Sequence, residues 1–289
     1  MDEFKNIAGV VVLYNPDNSV SENILSYINQ VDRLFAVDNS GNANPAVIDR
    51  IKKFTNLVYI RNGENLGVAQ ALNLGAQKAL ENGYDYILTM DQDSKAAPDM
   101  VTNMLSCLEV YDPSQVGIIT PLHIICNVPP QTEGKCSDVF LTMTSGNLLN
   151  LGIYNKVLPF AEELFIDCID YDCCLKMHQH GYKIIQASSA VLLHKLGNIK
   201  TYYLPGRKKF HVTNHPPFRR YYITRNRFYL MNKYRKEFPD FFRDQLIVFF
   251  REFLWIILFE KEKLSKIKMV YKGYVDFKRG NLGKRLKSA

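Results

Sequence analysis

Apolar and polar positions along the first hundred residues come in blocks. Residues 7–14 (Ile-Ala-Gly-Val-Val-Val-Leu-Tyr) form a continuous apolar, β-branched run that stops at Asn15-Pro16-Asp17, the pattern of a strand covered on both faces and followed by a turn. A helical stretch is predicted over about 19–30, and a second strand, Arg33-Leu34-Phe35-Ala36-Val37, ends at Asp38-Asn39-Ser40-Gly41. Next come a helix at about 45–54, a strand at 57–61, a loop through Asn62-Gly63-Glu64-Asn65, a helix at about 67–81 and a strand at 85–90. Strands alternating with helices of this length imply right-handed crossovers and a parallel sheet. Such sheets bind ligands at the carboxyl ends of their strands. Tyr14-Asn15, Asp38-Asn39, Asn65 and Asp91-Gln92-Asp93 all fall at those ends, so one crevice can collect them.

Beyond residue 100 the alternation weakens, and the pattern predicts a helix at 99–110, strands near 116–121 and 138–145, a helix at about 170–180 and a strand at 182–187. Residues 195–218, basic and aromatic with Pro205-Gly206 and Pro216-Pro217, are expected to form a mobile connection, a candidate lid. From residue 219 onward, Arg, Tyr and Phe lead into two apolar blocks, Leu246–Phe250 and Phe253–Phe259, interrupted by Arg251 and Glu252. The whole falls short of the roughly 20 apolar residues of a membrane span. It fits a helix lying among lipid headgroups, with Trp255 and the Phe side chains inserted and Lys and Arg on phosphates. The division expected is a domain over 1–218 and a basic, aromatic helical extension over 219–289.

A chain of 289 residues, 47% hydrophobic with 17 Phe and 17 Tyr, has enough apolar surface to fold and argues against disorder. The start, Met1-Asp2-Glu3-Phe4-Lys5, lacks the basic stretch and apolar run of an export signal, so a cytoplasmic location is expected. The six cysteines contain no CxxC pair; a disulfide framework is not expected, and the thiols read as small buried hydrophobes. A zinc site from Cys168, Cys173 and Cys174 with His178 or His180 fits no common spacing. Residues 1–199 hold 13 Lys+Arg against 22 Asp+Glu, a balance of −9, and residues 200–289 hold 23 against 7, a balance of +16. An acidic body with a basic tail points to an anionic partner for the tail. Without a nucleic-acid-binding motif, the run Arg219-Arg220-Tyr221-Tyr222-Ile223-Thr224-Arg225-Asn226-Arg227 is assigned to lipid phosphate or a diphosphate rather than nucleic acid.

Asp91-Gln92-Asp93-Ser94 directly follows the buried strand Tyr86–Met90. Two carboxylates at i and i+2 on an extended turn can face one site, where a hard divalent cation would bridge them to a diphosphate. Phe165-Ile166-Asp167-Cys168-Ile169-Asp170-Tyr171-Asp172 places three acids ahead of a helix, more than capping needs, so one could serve as a general base. His194 follows the strand Ala190-Val191-Leu192-Leu193 in a His-Lys-Leu-Gly turn.

The order of these blocks, together with Val11-Val12-Leu13-Tyr14-Asn15-Pro16, Val37-Asp38-Asn39-Ser40, Glu64-Asn65-Leu66-Gly67-Val68-Ala69, Ala71-Leu72-Asn73 and Thr144-Ser145-Gly146-Asn147, resembles inverting family 2 glycosyltransferases, and within them bacterial rhamnosyltransferases of surface-polysaccharide assembly. The resemblance covers about residues 7–235. It implies an α/β GT-A fold, Rossmann-like, with a mostly parallel sheet flanked by helices and a membrane-associating helical tail. It further implies that Tyr14 and Asp38 hold the nucleotide base, Asn65 and Gly67 approach the nucleotide or ribose, and Asp91 with Gln92 lies against ribose and diphosphate. Asp93 and His194 would ligate Mg2+ or Mn2+, Asp170 would deprotonate the acceptor, and Ser145, Gly146 and Asp167 would shape the acceptor pocket. The implied partners are a nucleotide-diphosphate sugar, a lipid-linked glycan acceptor and an anionic membrane surface at the inner face of the plasma membrane. The donor expected is dTDP-rhamnose. UDP-galactofuranose is the alternative, as is a catalytically silent nucleotide-sugar-binding module. Relatives carry Arg where this chain has Lys176, and often an aromatic residue at Cys173; an ammonium cannot reproduce a bidentate guanidinium contact.

Overall fold

Every residue of the run Ile7–Leu13 is buried, in strand β1 (Ile7–Leu13), in the computed structural model of the chain, which describes residues 6–124, 136–157, 159–194, 199–203 and 209–285. Burial on both faces explains the absence of alternation. Ile7, Val11 and Leu13 face one core. Val10 points the other way, so close to a helix that a Cβ on Gly75 would lie 2.3 Å from it.

The elements that follow are α1 (Ser19–Leu25), β2 (Arg33–Asp38), α2 (Pro45–Ile51), β3 (Leu57–Arg61), α3 (Val68–Glu81), β4 (Tyr86–Asp91), β5 (Ser94–Ala96), α4 (Met100–Leu105), β6 (Val116–Ile124), β7 (Cys136–Asp138), β8 (Leu148–Asn150), α5 (Leu151–Val157), α6 (Ile169–Gln179) and β9 (Lys183–His194). They build one sheet in the order β3-β2-β1-β4-β8-β6-β9-β5, with β7 also on β9. Strands β3, β2, β1 and β4 run parallel, as the βα alternation requires. The weaker pattern beyond residue 100 corresponds to a mixed half: β8 is antiparallel to β4 and β6, while β5 and β7 are antiparallel to β9. Helices α1, α2 and α4 supply Val20, Ile24, Val47, Ile48, Ile51, Met100 and Met104 to the core on one face.

Several expectations change. Residues 138–145 do not form a strand: β7 stops at Asp138, and the next residues are held as a loop by Thr120, Thr142 and Asn147, with Thr142 Oγ1 2.5 Å from Thr120 Oγ1. The cysteines are not all free. Cys107 and Cys136 are disulfide-bonded across a Cα separation of 5.6 Å: α4, just ahead of Cys107, packs against β9, and β7, which starts at Cys136, pairs with the same strand. Cys168, Cys173 and Cys174 are buried thiols, and burial raises Cys174 to about 12 and Cys173 well above its ordinary value.

The chain divides into two units: residues 1–165 with 169–195, and residues 166–168 with 196–289. The second contains an antiparallel ribbon of β10 (Ile199–Tyr203) and β11 (Lys209–Thr213), then α7 (Pro217–Tyr234), α8 (Pro239–Leu258) and α9 (Lys263–Lys278). Part of the span expected to be a loop is thus paired strand; Pro205-Gly206 lies outside the described residues. The arginines assigned to phosphate are corrected outright. Arg220 and Arg225 are 2% and 1% exposed. Arg220 donates to Glu252 at 2.9 Å and to Glu260, Arg227 donates to Glu252 at 3.0 Å, and Lys266 reaches Glu260 at 2.8 Å. Arg225 donates to the Gly283 carbonyl at 2.7 Å and stacks on Tyr222 at 4.9 Å. Burying a charge is costly unless it is paired, and these cations are matched inside the unit. Among the described residues no helix is long and apolar enough to cross a membrane.

Two outcomes follow. Gly67 sits at φ +97° with Phe165 so close that a Cβ would lie 2.7 Å from its carbonyl oxygen, so Gly67→Ala should lose about 1–3 kcal/mol in urea unfolding; an unchanged midpoint would refute the contact. His215 is pushed down to about 4 by burial first, then by Arg219 and Arg220. The unfolded chain takes up this proton near pH 6.5 and the folded one only near pH 4, so stability is present above the first value and lost as pH falls through the second. Melting temperatures of wild type and His215→Gln should therefore diverge most across that window, the variant losing less on acidification; parallel curves would refute it.

Candidate active site

The site is built in the first unit from the strand ends. At the end of β1, the Tyr14 N–H donates to Gln92 Oε1 at 2.8 Å and its carbonyl accepts from Gln92 Nε2 at 3.2 Å. Asn15, at φ 46°, donates its N–H to Ser40 Oγ at 2.7 Å. Asn39 donates to the Gly67 carbonyl at 2.8 Å and accepts from Asn62 at 2.7 Å, while the Gly67 N–H donates to Asn65 Oδ1 at 3.0 Å. The polar clusters after β1, β2, β3 and β4 therefore form one hydrogen-bonded rim.

Asp38 ends β2 fully buried, accepting from the Ser40 N–H at 2.8 Å and the Tyr59 hydroxyl at 2.6 Å. Burial, then that hydrogen bond, raises the Tyr59 pKa and keeps it a donor. Tyr14 is 51% exposed, leaving its ring open to stack on a flat partner.

The acid turn is held from three sides. The Asp91 N–H donates to Ser145 Oγ at 3.0 Å, Ser145 Oγ lies 2.9 Å from Ser94 Oγ, and the Gln92 carbonyl accepts from Asn23 at 2.7 Å. Thr89, a polar residue inside an apolar strand, anchors the opposing loop through Thr144 O at 2.5 Å, and the Gly146 N–H returns to Thr89 O at 2.6 Å. Gly146, at φ +86°, fits where a Cβ would lie 2.8 Å from both Pro121 and Leu192. Ser145 is buried with its hydroxyl engaged in this clamp, and its carbonyl oxygen lies 2.7 Å from His123 Nε2. Ser145 and Gly146 thus clamp the acid turn and the end of β4. Asp91 is half-buried and Asp93 exposed.

Strand β5 starts at once after Asp93, and its register pairs Ser94 with His194 of β9. The backbone thereby brings Asp93 beside His194; the His194 side chain and Lys195-Leu196-Gly197 lie outside the described residues. Among the described residues no cluster of three or more His, Cys, Asp or Glu is arranged around a metal. A carboxylate pair with one imidazole suits a hard divalent ion that takes its remaining ligands from a diphosphate.

Asp170 lies in the first turn of α6, partly exposed, with Oδ1 accepting from the Tyr171 N–H at 2.9 Å. Two anchors position this helix. Cys174 Sγ contacts the Thr142 carbonyl at 3.7 Å, two residues before the Thr144–Gly146 clamp, and the Phe165 carbonyl accepts from Val68 at the start of α3 at 2.8 Å. Asn73 ties α3 to the approach to α6, bonding Phe160 N at 2.9 Å, Phe160 O at 3.0 Å and the Tyr154 hydroxyl at 2.7 Å. Phe165, Asp167 and Cys168 all have positive φ, at 65°, 66° and 63°; strain of this kind collects at functional sites.

The neighbouring acids are engaged otherwise. Asp172 is fully buried and paired with Lys176 at 2.9 Å, and Lys176 also donates to the Pro159 carbonyl at 2.9 Å. In the second unit Asp167 receives both Arg219 Nε, at 3.3 Å, and its terminal nitrogen. Sequence reasoning missed Asn23, Tyr59, Thr89 and Thr142. Only Thr89 carried a signal, its hydroxyl in an otherwise apolar strand.

Residues 10–133 match the family model described as glycosyl transferase family 2. The chain is 29% identical over 252 residues to dTDP-rhamnosyl transferase RfbF of Shigella flexneri, covering 79% of this chain and 80% of that protein. It is 26% identical over 124 residues to poly-beta-1,6-N-acetyl-D-glucosamine synthase of Staphylococcus aureus, 42% of this chain and 29% of that protein. Among solved structures, GalNAc-T7 crystallised with UDP, GalNAc and Mn2+ superposes with a TM-score of 0.59 at 14% identity, covering 84% of this chain and 55% of that one. S. aureus TarS gives a TM-score of 0.59 at 12% identity, covering 94% and 80%. At such identities the structural likeness speaks for the fold, and the sequence matches speak for the family. The chain thus has a mixed α/β, GT-A-like fold and is similar in sequence to family 2 glycosyl transferases over residues 10–133 and to a dTDP-rhamnosyl transferase over most of its length.

Proposed function

We propose that the chain is an inverting, metal-dependent rhamnosyltransferase that moves rhamnose from dTDP-rhamnose to a lipid-linked saccharide in cell-surface polysaccharide assembly, working from the cytoplasmic side at an anionic membrane surface. The observation that carries this reading is the single rim formed by Tyr14, Asp38, Asn65, Gly67 and the Asp91–Asp93 turn, with β5 setting that turn against the end of β9. Likeness to the Shigella protein over about four-fifths of both chains supports the choice of donor.

In this reading Tyr14 stacks on the base, Asn65 orients the nucleoside, buried Asp38 acts through the groups it fixes, the Ser40 backbone and the Tyr59 hydroxyl, and Asp91 with Gln92 borders the ribose and diphosphate. Asp93 and His194 would hold Mg2+ or Mn2+, whose chemistry is to offset charge on the departing diphosphate. Asp170 takes the proton from the acceptor hydroxyl as its oxygen bonds the anomeric carbon from the face opposite the breaking glycosyl–phosphate bond. Asp167, paired with Arg219, borders the acceptor.

Purified chain given dTDP-rhamnose, Mg2+ and a lipid-linked acceptor should release dTDP; absence of turnover with any nucleotide sugar would refute the reading. Asp170→Asn should lower kcat by about 10²–10⁴-fold, the range of a general base, with donor binding by thermal shift retained. Unchanged turnover would remove Asp170 from the chemistry. Gln92→Ala loses both bonds to the Tyr14 backbone and should raise donor KM roughly tenfold at about 0.5–1.5 kcal/mol per bond. An unaltered KM would mean that the clamp does not shape the donor site.

A further inference from the structure

The outward side of α8 is apolar where a helix packed on a core should be polar. Ile247, Phe250, Leu254, Ile257 and Leu258 are 58%, 65%, 52%, 41% and 53% exposed, and their spacing of three and four residues puts them on one stripe. The opposite side is fully used within the unit. Phe241, Gln245 and Ile256 are buried, Phe249 packs edge-on against Phe228 at 5.0 Å, and Glu252 receives Arg220 and Arg227. The stripe is therefore not needed to hold α8 in place.

Its charge surroundings are one-signed. Arg251 lies on the same side, over the Trp255 ring at 5.0 Å. Just past the helix come exposed Lys261, Lys263 and Lys268, with Leu264 85% exposed among them. Glu262 is the only exposed carboxylate between residues 245 and 279. At the other end Asp240 and Asp244 are matched by Arg243 at 3.2 and 3.7 Å.

We propose that this face of α8, with the lysines that follow it, seats the chain on an anionic lipid bilayer, the helix lying parallel to the surface. The assignment rests on the membrane-surface part of the function proposed above and replaces the α7 arginines, which are spent internally, with a defined stripe. A second copy of the chain is the other candidate occupant. A two-fold pairing of stripes centred near Arg251 would bring that guanidinium against its own counterpart, whereas anionic headgroups complement Arg251, Lys261 and Lys263 together. Inserting the stripe while its basic neighbours contact headgroups is how interfacial helices bind.

The test uses the full chain with no nucleotide sugar, so its outcome is independent of the catalytic reading. Phosphatidylcholine vesicles containing phosphatidylglycerol should sediment the protein, and phosphatidylcholine vesicles alone should not. Phe250→Glu with Leu254→Glu should weaken vesicle binding by about tenfold or more, with the melting temperature unchanged. Ile257→Ser with Leu258→Ser provides a milder second variant expected to weaken binding in the same direction. Lys261→Glu with Lys263→Glu should reduce binding and its response to salt. Equal sedimentation with neutral vesicles, or wild-type binding by both stripe variants, would overturn the proposal. So would concentration-dependent dimerisation abolished by Phe250→Glu, which would give the face to a second copy.

Discussion

Two carboxylates two residues apart at the end of β4 repel each other, and the turn that carries them keeps its shape because its polar backbone and side-chain groups are bonded sideways. Ser145 takes the Asp91 N–H, Asn23 takes the Gln92 carbonyl, and the Gln92 amide reads both backbone groups of Tyr14. None of these bonds uses the carboxylates themselves. The chain leaves Asp93 straight into β5, whose pairing with β9 fixes the direction of exit. A turn held at its flanks in this way can accept charge between its acids without collapsing around it, which is what a preorganised diphosphate site requires.

The same dependence extends to α6. The loop that clamps the acid turn through Thr144 and Ser145 also offers Thr142 O to Cys174 and Phe140 O to His178, at 3.7 and 2.9 Å. Asn73 and Val68 hold the other approach to this helix. Helix α6, which carries Asp170, is thus tied to the acid-turn loop through side-chain contacts to the Thr142 and Phe140 carbonyls. Motion of the 140–147 segment would disturb both the acid turn and the seating of α6.

The fold was legible where one force dominated. The continuous apolar run of β1 and the repeated βα alternation to residue 91 follow from two-sided burial, and the strands fall within a residue or two of expectation. The antiparallel half was not, because β5, β7 and β8 are three residues each, too short to show a period. The strand ends disclosed the acids and Tyr14, since polar residues after buried strands stand out. They could not disclose that Ser145 would bond to the acid turn, or that Cys107 and Cys136 would meet beside β9. Those facts depend on pairings far apart in sequence. The basic tail misled for a related reason. Charge counted along a chain says nothing of burial, and Arg220, Arg225, Arg227 and Lys266 are matched inside by Glu252, Glu260, a carbonyl and aromatic rings.

Environment also sorts the three acids around the start of α6. Asp172 is fully buried beside Lys176, and Asp167 is gripped by the Arg219 fork. Asp170 stands between them in sequence, in the first turn of α6 and partly exposed. Lys176 becomes intelligible here as well. Its two acceptors, Asp172 Oδ2 and Pro159 O, both lie 2.9 Å from one nitrogen, so a point-charge ammonium meets the need and a planar fork is not required. The substitution therefore bears on how α6 is fastened to the residue 159 approach. Three acids in six residues are thus set in different surroundings: Asp172 and Asp167 each face a cation, while Asp170 accepts from the Tyr171 N–H.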